Sequence, residues 1–70
     1  MSNTNITSLT EFAKTSEKLH KYNEAIDYYL QIILIENNII NKCIIFNQIG
    51  MCYTFIHKYY DAIEYFNKII

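Results

Sequence analysis

A segment of this 70-residue chain occurs twice, 37 positions apart. His20-Lys21-Tyr22 returns as His57-Lys58-Tyr59, and Glu24-Ala25-Ile26-Asp27-Tyr28-Tyr29 returns as Asp61-Ala62-Ile63-Glu64-Tyr65-Phe66. Ile32 and Ile33 return as Ile69 and Ile70. A period of this length is the mark of supersecondary units stacked side by side. Within each copy the apolar residues fall three and four apart. They are Tyr22, Ala25, Ile26, Tyr29, Ile32 and Ile33, then Tyr59, Ala62, Ile63, Phe66, Ile69 and Ile70. Such spacing puts them on one face of an α-helix.

The stretch before each copy has the same period: Leu9, Phe12, Ala13 and Leu19, then Phe46, Ile49, Gly50, Tyr53 and Ile56. The pattern predicts an all-α chain of four amphipathic helices near 9–19, 22–36, 40–56 and 59–70, paired into two stacked helix-turn-helix hairpins. Residues 1–8 read as a polar or disordered lead, 9–38 as the first unit and 39–70 as the second. Ser8 with Glu11 three residues on reads as a capping box. Asn37-Asn38 reads as a helix stop, since Asn tolerates the left-handed conformation. His20 and His57 fall at the two tight turns, where a positive φ is often required and His is one of the non-Gly residues enriched.

Composition narrows the job. Net charge is −1 and Arg is absent, which leaves little to neutralise phosphates and argues against nucleic acid. The most apolar window, 30–49, is broken by Glu36, Lys42 and several amides, so no membrane span is expected. With no Pro and one Gly, neither β-hairpin chemistry nor a Gly-rich phosphate loop is supported. Cys43 and Cys52 read as two buried thiols of a reducing, cytoplasmic compartment. The Cys and His residues lack zinc-ligand spacing, and no side chain combines with an orienting partner as a nucleophile or base would. No metal, no cofactor and no catalysis are expected. A domain this short buries only about 60% of its unfolded surface, so it is marginally stable alone.

These residues resemble the tetratricopeptide repeat. Its pattern W-x2-L-G-x2-Y-x8-A-x3-F-x2-A-x4-P is matched by Phe46-x2-Ile49-Gly50-x2-Tyr53-x8-Ala62-x3-Phe66-x2-Ile69, and more loosely by Leu9-x2-Phe12-Ala13-x2-Ser16-x8-Ala25-x3-Tyr29-x2-Ile32. The resemblance implies an α–α superhelix. Its packing core would be Phe12, Ala13, Tyr22, Ala25, Tyr29, Phe46, Ile49, Gly50, Tyr53, Tyr59, Ala62 and Phe66, with the small residues allowing close helix approach. Ser16 in place of the pattern's Tyr implies a looser first hairpin. The three residues beyond the usual 34 should lengthen a helix or turn around 36–43.

The resemblance also implies a concave groove that receives a peptide or partner helix. By position it would be lined by Thr10, Lys14 and Glu17 from the first unit and Asn47, Met51 and Thr54 from the second. The family's carboxylate clamp does not carry over, because Thr10 and Lys14 stand where its Lys and Asn are expected and Gln48 where its further Asn is expected. The expected function is thus a non-catalytic protein–protein interaction module. The alternative is a self-assembling structural protein, or part of a longer array, joined through an uncovered C-terminal helix as a homo-oligomer.

Overall fold

In a computed structural model the described residues are 5–69. They form α1 (Ile6–Lys18), α2 (Tyr22–Ile35), α3 (Ile39–Phe55) and α4 (Tyr59–Phe66). α1 packs on α2, α2 on α3 and α3 on α4. The chain is therefore all-α, two helical hairpins laid side by side, with no strand among the described residues. The thinnest dimension is 14 Å, little more than one helix diameter, so few side chains can lie far from water.

The two turns inside the hairpins are the same structure. His20 has φ 61° and His57 has φ 65°. In the first turn the Lys21 N–H donates to the Ser16 carbonyl at 2.8 Å and the His20 N–H to the Glu17 carbonyl at 2.9 Å. In the second, Lys58 donates to Tyr53 at 2.9 Å and His57 to Thr54 at 3.0 Å. This nested pair of bonds is the Schellman helix ending, normally built on Gly.

Several expected boundaries move. The first helix begins at Ile6, three residues early, because the Asn5 side chain accepts the Ser8 N–H at 2.8 Å. Asn5, not Ser8, is the cap, and no Ser8–Glu11 capping box forms. Residues 6–8 are thus helical rather than part of a loose lead; residues 1–4 lie outside the described region. The second helix stops at Glu36 in extended conformation. Asn37-Asn38 does not stop it through left-handed backbone; Asn38 instead caps α3 by accepting the Asn41 N–H at 3.0 Å. The extra residues go into α3, which has 17 residues against 13 in α1. The repeat equivalent of Ile6 is Cys43, so the addition is a full turn at the start of α3. α4 ends at Phe66 rather than running to 70, and Ile70 lies outside the described residues.

The small residues do what close packing requires. Ala13, Ala25 and Ala62 are buried. At Gly50 an added Cβ would sit 2.5 Å from the Phe66 ring, so glycine is what lets α4 approach α3 there. Tyr29 and Ile49 are fully buried, while Tyr22, Phe46 and Tyr53 are half-buried. Phe12, Tyr59 and Phe66 are corrections to the expected core, since all three are exposed. Phe66 packs on Gly50, and Phe12 on Tyr28 at 5.5 Å between ring centres, yet they and Tyr59 each leave an edge open on the outer sides of α1 and α4. Among the described residues no helix lies beyond either one.

Ser16 is buried, and the first hairpin holds most of the core rather than being the looser one. The reason is its position: α3 covers the outer face of α2. Cys43 is only half-buried, while Cys52 is buried, and both are free thiols.

Candidate functional site

The face shared by α1 and α3 has two ends of different character. At one end the added turn of α3 overhangs the start of α1. There a cleft of about 260 Å³ is lined by Ile6 and Thr10 of α1, Ile32 and Glu36 of α2, and Asn41, Ile44 and Ile45 of α3. Its floor is aliphatic, and its lip is polar. The Glu36 carboxylate accepts the Asn38 N–H at 3.0 Å and the Asn41 amide at 3.4 Å, which fixes it at the mouth. Leu34, Ile35, Ile39 and Ile40 stand exposed beside it on the neighbouring helix ends.

At the other end the two helices are joined by a polar seam. The Tyr29 hydroxyl donates to Glu17 Oε1 at 2.7 Å, and Cys52 Sγ donates to Glu17 Oε2 at 3.3 Å. One carboxylate thereby holds α1, α2 and α3 together. Burial, then the neighbouring Glu17 carboxylate, pushes the Cys52 thiol up to about 12. The same two causes raise Tyr29, with Gln48 acting in the opposite direction. Both groups stay protonated donors, as the seam requires, and neither is a nucleophile near neutral pH.

The six expected groove residues therefore divide. Thr10 lines the cleft. Lys14, Asn47 and Met51 are exposed, with Asn47 Nδ2 3.7 Å from Met51 Sδ. Glu17 belongs to the seam, where its oxygens are already engaged. The Thr54 hydroxyl donates to the carbonyl of Gly50 at 2.9 Å, so its own helix satisfies it. The aliphatic cleft residues Ile6, Ile44 and Ile45 lie outside the expected groove set, because helical spacing does not show which neighbouring helix an Ile will meet until the helices are placed.

No protein-family profile, curated protein or solved structure matches this chain. Its chemistry is read from its own geometry. Among the described residues no three His, Cys, Asp or Glu side chains gather to hold a metal ion. No helix among them is long and apolar enough to cross a membrane. No buried side-chain oxygen or nitrogen among them lacks a partner, so no polar group waits inside for a ligand.

Proposed function

We propose that the chain is a non-catalytic protein–protein interaction module of tetratricopeptide-repeat type, which seats a side chain of a partner segment in the cleft between α1 and α3. The cleft itself carries this reading. At about 260 Å³ it falls below the range of roughly 300–1,000 Å³ usual for small-molecule sites, but it has room for an aliphatic anchor. Glu36 at the lip suits a Lys, an Arg or a backbone N–H next to that anchor. Lys14, Asn47 and Met51 extend the contact along the same two helices, Met51 supplying adaptable apolar surface.

The test is selection of peptides from a random display library on the full chain. Recovered sequences should share an aliphatic residue beside a basic one. Ile44→Lys should weaken their capture by about tenfold or more, because it puts a charge into the anchor site. Asn47→Ala with Met51→Ala should weaken it less. Capture unchanged by Ile44→Lys would refute the cleft as the site.

A further inference from the structure

α3 carries a line of apolar side chains open to water. Ile40, Ile44, Met51 and Phe55 are 68%, 57%, 41% and 54% exposed, and the exposed Asn47 sits in their midst. Steps of four, three, four and four residues keep the five on one stripe of the helix. The stripe points away from both neighbours of α3. Ile49 and Cys52 are buried in the core shared with α2, and Phe46, Gly50 and Tyr53 turn to α4. Phe55 leans on Tyr22 at 4.9 Å between ring centres and keeps its outer side open. The repeat does not require this line. At the equivalent positions of Ile44, Asn47, Met51 and Phe55, α1 has Thr7, Thr10, Lys14 and Lys18.

The line is complementary to itself when turned end for end. We infer that α3 docks antiparallel on α3 of a second copy, making a closed two-fold dimer across this face. Ile40 then meets the partner's Phe55, and Ile44 meets the partner's Met51. Beside the axis the two Asn47 amides exchange hydrogen bonds, so the one polar pair in the seam is satisfied and fixes the register. Charge sets the direction. Lys58, just past the end of α3, comes to the end of the partner where Glu36 stands at the lip of the cleft. A parallel pairing would bring the two Glu36 side chains to the same end instead. At 17 residues α3 is about 25 Å long. The molecule is a slab 37 × 29 Å across and 14 Å thick, so a broad face has room for the roughly 800 Å² per partner of a stable interface. Thr7, Lys14 and Lys18 of α1 supply the polar rim.

The other way for copies to meet is end to end, with Phe12 and Leu19 of α1 on Tyr59 and Ile63 of α4, all four more than half exposed. Thr15 interrupts the first pair, whereas the α3 line runs the length of its helix. An end-to-end contact is also heterologous, so it adds copy after copy and does not stop at two. The dimer stands on the α3 line and not on the peptide reading of the cleft. The two share Ile44 and Met51, so a captured peptide and the partner copy compete.

Sedimentation equilibrium of the full chain over a concentration series should show a species of twice the chain mass and none larger. Asn47→Lys and Asn47→Asp each set like charges face to face beside the axis. Each should raise the dissociation constant about tenfold or more, and an equal mixture of the two should restore dimerisation. Asn47 is exposed, so both variants should keep the helical circular dichroism of the parent. Direction is read by cross-linking in a Cys43→Ala chain, where burial protects Cys52. An Ile44→Cys chain mixed with a Met51→Cys chain and treated with oxidised glutathione should yield mainly the mixed disulfide. A monomer throughout the series would overturn the inference, as would disulfides that join only like chains. So would an oligomer that Asn47→Lys leaves intact and Phe12→Lys or Ile63→Lys dissolves, since the copies would then meet end to end. Library peptides captured by a chain that stays monomeric would remove the dimer and leave the cleft reading standing.

Discussion

The first hairpin and the second are built from one pattern, and they differ in which neighbours they have. In the first, α2 lies between α1 and α3, and its apolar face disappears into the core. In the second, Tyr59 and Ile63 of the same face meet water, while Ala62 stays buried and Phe66 lies on Gly50. Sequence equivalence therefore does not carry over into energetic equivalence. A residue contributes to stability through the surface covered around it, and a repeat inherits that cover only if something stands beside it.

The sharpest way to break this comparison is to truncate equivalent residues. Ile26→Ala should cost about 3 kcal/mol, through lost burial and the cavity left behind. Ile63→Ala should cost about 0.5 kcal/mol or less, as exposed substitutions do. Urea denaturation of the two variants measures the gap. Equal losses would mean that α4 is covered in solution.

A smaller effect separates the hairpins at alkaline pH. Cys52, with its folded value near 12 against an ordinary thiol value of 9, is protonated in the folded state and ionises first in the unfolded one. The unfolded chain then holds fewer protons, so stability is intact below about pH 9 and falls as pH rises from there towards 12. Tyr29 acts in the same direction. Melting temperature should fall over that window, and less steeply in Cys52→Ala, while Cys43 should react with a thiol reagent well before Cys52 does.

The smallest effect concerns what the hairpins share. Left-handed backbone costs a non-Gly residue about 1–2 kcal/mol, offset in part by the chain entropy that Gly brings. His20→Gly should stabilise by about 0.5–1 kcal/mol in thermal melts. His57→Gly should gain less, because His57 Nδ1 lies 2.6 Å from the Tyr59 hydroxyl and that contact is lost.

What could be read from the sequence was whatever the repeat states twice. The hairpin turns at His20 and His57, the helical faces and the small residues at Ala13, Ala25, Gly50 and Ala62 follow from periodicity and spacing. The start of α3 did not, since three inserted residues serve equally well as turn or helix until a cap is chosen, and Asn38 makes that choice. The Glu17 seam was hidden for a different reason. Its partners lie 12 and 35 residues away, beyond any local pattern, and Cys52 and Tyr29 each read as ordinary core. Ile39, Ile40 and Ile44 belong to a set of Ile too large for four short helices to bury, and they are exposed, but pattern alone does not say which of that set meets water.

The bridging carboxylate of Glu17 sets where the molecule can come apart. It ties the first three helices to one another, so they should lose structure together. α4 is not stitched into that unit: Phe66 over Gly50, with Tyr65 against Phe46 and Tyr53, is what fastens it. Amide exchange should accordingly run fastest in 59–66, by partial openings that leave the rest closed. On this account the last helix should open before the three that share the carboxylate.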